Sequence, residues 1–256
     1  MTELTDIINQ GAFGLMLVLA RVAGAVMLLP GLGETAPPAI LRAGLALCLA
    51  LLLLPTVLPS LPDMPEAGML AALMIGAEVL TGVWFGWLAR LLALALPVAA
   101  QFIAYLLGLS SVLQPDAQLG PQSTALARLF DLAAPLAVLS SDLYQLPLVA
   151  LGGLYRIVPA GALLPSTDGA MSAMEMTTQM FALALRLAAP FVLAAVVWNV
   201  AIGLIARLVP RLQVYFIAMP GQILGGFLML AALSGAILAA WEGTARTLLS
   251  ALPGSG

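Results

Sequence analysis

The feature that most constrains this chain is a series of long apolar stretches almost free of charge, at 11–29, 40–58, 68–113, 125–158, 176–209 and 212–241. A backbone in lipid must satisfy its own hydrogen bonds, and segments of this length do so as helices. About 20 residues cross the roughly 30 Å of hydrocarbon, so the first two stretches fit one crossing each and the other four exceed a straight one. The predicted fold class is all-α: a polytopic membrane protein of long, kinked apolar helices with helical hairpins. Pro97 and Pro190 stand inside two of the overlong stretches. Each removes a backbone donor, so kinks are expected there.

Composition excludes the main alternatives. Only 8% of the 256 residues are charged, against roughly 25% in an ordinary soluble domain, too few to build the polar shell of a water-soluble globule. The chain has no His and no Lys, and its one cysteine, Cys48, lies in a leucine-rich run. Histidine metal ligation and an internal disulfide are thereby excluded, and no nucleophile stands beside a base. Neither an enzyme nor a cofactor is expected. Without a basic patch there is nothing to grip nucleic acid. The first charges are the acidic Glu3 and Asp6, where a secretory signal would be basic, so the first apolar stretch is expected to be retained.

Arginine placement predicts orientation. Arg207 and Arg211 flank the turn between the last two stretches and assign it to the cytoplasm. Asp168, Glu175 and Glu242 then face the other side, as do Asp63 and Glu66, with Arg42 inside.

Ionisable groups at membrane depth cost several kcal/mol and usually face protein or water. Arg21, Glu78, Arg90, Asp131 and Arg186 are such groups. They are expected to pair with one another in the bundle interior, the alternative being a proton or ion relay. Asn199 should hydrogen-bond across a helix interface. The pairs Gly82/Gly86 and Gly221/Gly225 have the spacing of close helix packing. Between Gly108 and Gly120 the helical pattern is interrupted by Pro115 and Asp116. That segment is either a surface loop or a re-entrant loop that plugs a pore.

Several ordered fragments carry a family resemblance: Leu19-Ala20-Arg21-Val22-Ala23-Gly24 followed by Pro30 and Pro37-Pro38; Arg42-Ala43-Gly44; and Glu78 with Gly82 and Gly86. Ala184-Leu185-Arg186 with Pro190, then Asn199 and Gly203, and finally Arg207-Leu208-Val209-Pro210-Arg211 with Pro220 complete the set. Together they span nearly the whole chain, and it resembles the FliR/SctT family of type III secretion export gates. The resemblance implies a non-enzymatic component of the flagellar protein export gate. It would form part of the channel entry for unfolded flagellar proteins, in the basal body at the bacterial inner membrane. Residues 1–170 would correspond to a FliP-type subunit, with a plug-like loop at 108–120, and 171–256 to a FliQ-type hairpin. The implied partners are FliP-type and FliQ-type subunits, an FlhB-type switch protein near Pro210, unfolded export substrates and membrane lipid. The structural and gating residues would be Arg21, Glu78, Gly108, Pro115, Asp116, Gly120, Arg186, Pro190, Asn199, Pro210 and Pro220. The equivalent injectisome subunit is one alternative. A secondary transporter of a small solute is another, although it would ordinarily show internal repeats and paired broken helices.

Overall fold

The structure is a computed structural model and describes residues 2–108, 124–163, 166–208 and 214–255. Among the described residues seven α-helices follow one another: α1 Thr2–Val26, α2 Ala39–Val57, α3 Gly68–Leu106, α4 Ala125–Ser140, α5 Gln145–Ile157, α6 Ser166–Leu208 and α7 Val214–Leu249. A short 3-10 turn, Leu58–Ser60, continues α2. No strand occurs among the described residues, so the all-α expectation holds. Among the described residues four helices are long and apolar enough to cross a membrane, and a fifth crossing is available if α4 and α5, bent by 73°, form one broken span.

The sequence pattern ran α4 and α5 together, and local chemistry explains why they separate. Asp142 adopts a left-handed φ of 59°, a conformation that Asp tolerates better than most residues. Leu143 N then donates to Val138 O at 3.1 Å, the long-reach bond that closes a helix whose next residue is left-handed. Leu143 itself is fully buried and pins the break. Pro147, in the first turn of α5, has no N–H, and a helix start needs none there.

Elsewhere helices run further than the apolar pattern. α6 begins at Ser166 with Asp168 in its first turn and Arg207 in its last, a charge order that complements the helix dipole. Both α3 and α6 continue as helices through Pro97 and Pro190.

Contacts divide the chain into two compact units, neither contiguous in sequence. The first comprises Met1–Leu92, Val138–Thr177 and Ala245–Gly256, with a core that includes Leu17, Val22, Phe85, Leu88 and Leu151. The second comprises Ala93–Ala137 and Thr178–Thr244, with Leu96, Ile103, Phe191 and Trp241 inside. The most apolar window of α2 is only 17% buried and that of α7 only 11%. Faces this apolar need lipid or other polypeptides to cover them.

Candidate functional site

The best-defined polar site lies in the first unit, where α1 meets α3. A Cβ added at Gly86 would stand 2.5 Å from Ala25 O, and one added at Gly82 would run into Arg21 O. From the other side, a Cβ at Gly24 would approach Val79 O to 2.8 Å. Only glycine admits backbones this close, so the Gly82/Gly86 spacing marks a true helix contact. Residue numbers rise together along both helices, Arg21 against Glu78 and Ala25 against Gly86, so α1 and α3 run parallel. With α2 returning between them, this agrees with the charge-based orientation, in which both helices start on the same side.

At that crossing Arg21 and Glu78 form a two-pronged ion pair. Nε donates to Oε2 at 2.6 Å and Nη2 to Oε1 at 3.0 Å. Both side chains are 0% exposed. Arg21 Nη1 also donates to Val158 O at 2.9 Å, and Gly161 N donates to Glu78 Oε1 at 2.6 Å. The guanidinium lies 4.0 Å from the centroid of the Tyr155 ring, a cation–π contact. One ion pair thus fastens α1, α3, the end of α5 and the turn after it. With every nitrogen of the guanidinium engaged, the arrangement suits a fixed joint better than a proton relay.

The five interior charges do not all pair among themselves as expected. Arg90 reaches Glu34 in the α1–α2 connection, at 2.7 and 3.3 Å, and Gly31 N donates to the same carboxylate at 3.3 Å. Asp131 binds Arg128, one turn earlier on its own helix, at 2.6 Å on an exposed face. Local reach within a helix decided that pairing. Arg186 is exposed and has no hydrogen bond or ion pair among the described residues. No cluster of His, Cys, Asp or Glu able to hold a metal occurs among the described residues.

The second unit fixes the flanks of the central segment. α3 ends at Leu106, and two residues on Gly108 has a φ of 71°, the left-handed stop a helix terminus favours. Gln222 Nε2, from α7, donates to Leu106 O at 2.9 Å. Thr124 donates to Gln101 Oε1 through both N and Oγ1, at 3.2 and 3.1 Å. Thr124 Oγ1 accepts from Ala127 N at 3.2 Å and so caps α4. Pro115, Asp116 and Gly120, the heart of the plug reading, lie outside the described residues, as does Pro210.

A crevice of about 220 Å³ opens between the end of α3, α6 and α7, lined mainly by Leu106, Leu107, Ala195, Trp198, Gly225 and Met229. Here the glycine expectation is corrected. A Cβ at Gly225 would meet nothing and one at Gly221 only the Trp198 ring at 3.5 Å, whereas Gly226 is the position filled by Leu107. Asn199 Nδ2 donates to Ala195 O, four residues back on its own helix, at 2.7 Å. Pro190 is half-buried in α6, and Pro220 is exposed near the start of α7.

Sequence reasoning missed Glu34, Tyr155, Gly161, Gln101 and Gln222. The two glutamines carried a usable signal, since each is an amide inside an apolar helix, as Asn199 is. Gly161 had only its place in a turn, and its backbone N–H cannot be read from a side chain.

Residues 12–248 match the family described as Bacterial export proteins, family 1. The chain is 34% identical over 234 residues to the "Flagellar biosynthetic protein FliR" of Caulobacter vibrioides, covering 91% of this chain and 93% of that one. It is 29% identical to the protein of the same description from Bacillus subtilis, over 84% of this chain and 83% of that one. The one from Escherichia coli is 25% identical over 84% and 82%. The family match therefore runs from within α1 to the last turn of α7.

Proposed function

Because this chain belongs to the bacterial export proteins, family 1, over residues 12–248, we propose that it is a component of the flagellar type III protein export gate, required for assembly of the flagellum. The three relatives are all described as flagellar biosynthetic proteins, which favours a flagellar over an injectisome gate. The chain works in a membrane beside other export-gate subunits. More finely, we assign it to the inner membrane within the basal body, next to FliP-type and FliQ-type subunits and an FlhB-type switch protein, at the channel entry for unfolded substrates. It acts by shape and contact, without catalysis. In this reading residues 1–170 play the FliP-type part and 171–256 the FliQ-type part.

The observation that carries the reading, beside the family, is the pair of long apolar helices the chain leaves uncovered. α2 and α7 are 17% and 11% buried over their most apolar windows, as expected of a subunit completed by its neighbours. α6, with 43 residues, is about 65 Å long at 1.5 Å per residue, twice what one bilayer crossing uses. A purely lipid-bound bundle leaves that surplus length without a role. The test is the mass and composition of the complex extracted from native membranes in mild detergent. A stable assembly with two other small hydrophobic proteins is expected, and a monomer or homodimer that binds a small solute would show the transporter reading to be right.

A further inference from the structure

We propose that Arg186 is the polar anchor of an interface with a different polypeptide, through a partner helix that presents one carboxylate on an otherwise apolar face. The proposal deepens the gate reading and rests on it only in requiring a second membrane subunit.

Arg186 lies near the middle of α6 and is exposed. Leu185 and Leu193, at 54% and 69% exposure, flank it, and Val197, Val200 and Leu204 continue the same stripe. These positions recur at three- and four-residue spacing, so they share one face. Toward the helix start, exposed Phe181 prolongs the apolar surface. From Phe181 to Leu204 the stripe measures about 35 Å at 1.5 Å per residue, more than the roughly 30 Å that lipid tails can cover. Protein must cover the remainder, and Arg186 stands within the stripe with apolar surface on both sides.

The chemistry at that turn defines what fits. A guanidinium facing lipid tails is strongly disfavoured, and it is planar and two-pronged, matched to a carboxylate. Pro190, four residues on, has no N–H to give to the carbonyl of Arg186. The residue therefore offers a cation, beside a carbonyl that has lost its usual helical donor. Of the chain's 12 acids, the nine that the structure describes with their side chains are engaged or stand away from the middle of an apolar helix. Glu34, Glu78 and Asp131 are already held by arginines, and Asp168 and Glu175 stand in the first turns of α6 itself. Asp63 and Glu66 are in the α2–α3 connection, Asp142 is at the α4–α5 break, and Glu242 is near the end of α7. We therefore assign the carboxylate to another subunit.

The experiment uses the full chain with its native neighbours in the cell. Arg186→Leu, Arg186→Lys and Arg186→Glu are compared for amount in the membrane and for yield of co-purified subunits. Leu and Glu are expected to insert at the native level but to lower co-purification at least ten-fold, with Lys retaining most of it. Reversing one carboxylate of a co-purifying subunit to Arg should restore the complex with Arg186→Glu. Independently of any charge variant, a photo-crosslinker at the exposed Ala189 should capture the helix that carries this carboxylate. Unchanged yield for Arg186→Leu, crosslinks to phospholipid alone, or failure of every reversal would each overturn the proposal. Absence of any co-purifying subunit from the native chain would instead defeat the gate reading itself.

Discussion

Arg21 and Glu78, both at 0% exposure, depend on each other. Removing one partner of a buried pair leaves an uncompensated charge and costs about 3–5 kcal/mol, whereas replacing both with apolar groups is often close to neutral. Arg21→Leu or Glu78→Leu alone should therefore sharply reduce the protein recovered folded from membranes. The double Arg21→Leu/Glu78→Leu should recover much of it, measured by thermal unfolding of the detergent-solubilised chain. Recovery should stay incomplete, because Val158 O and Gly161 N lose their partners as well. A double variant no better than the singles would mean that the pair is not what holds the joint. Both charges were legible in the sequence because charge amid apolar residues is rare and must be accounted for. Their backbone partners were silent, since a carbonyl or an N–H belongs to every residue. Glu34 was overlooked for a related reason: it sits in a connection, where acidic residues are ordinary.

Between elements, glycine spacing proved a half-signal. Gly82 and Gly86 meet the backbone of α1, while Gly225 meets nothing, because spacing defines a groove on one helix without saying whether a neighbour lies in it. Gly82→Leu should force α1 and α3 apart and lower thermal stability. Gly225→Ala should be neutral or raise stability by up to about 1 kcal/mol, the helix-propensity difference between the two residues. Loss of stability on Gly225→Ala would mean that the crevice beside it is filled by a partner in the folded complex. The α4–α5 break gives a second check. Asp142 sits at φ 59°, so Asp142→Gly should preserve or improve stability, and Asp142→Val should lower it by about 1–2 kcal/mol. The sequence hid this break because its Ser140-Ser141-Asp142 signal lies inside an apolar stretch and contains neither glycine nor proline.

At the scale of the whole molecule, the all-α class and its long helices were readable from hydropathy, because lipid leaves the backbone so few choices. The number of crossings was not, since a stretch longer than the bilayer can tilt, break or leave it. Orientation is open to direct measurement. In a Cys48→Ala background, a cysteine at exposed Leu208, beside Arg207 at the end of α6, should react in intact cells with membrane-permeant thiol reagents and resist impermeant ones. Labelling by the impermeant reagent would invert the C-terminal hairpin. The parallel joint of α1 and α3 also has a consequence in time. Its two charges lie 57 residues apart in the chain, and at about 5–20 residues per second the ribosome needs roughly 3 to 11 s to pass from one to the other. For that interval Arg21 has been made and its counter-charge has not. Arg21 stands five residues before the end of α1, and an unpaired cation in an apolar segment opposes its burial, so α1 should settle only once α3 emerges to pair with it. Arrested nascent chains ending before Glu78 should leave a cysteine at Val22 open to water-soluble reagents, and chains extended through α3 should close it off.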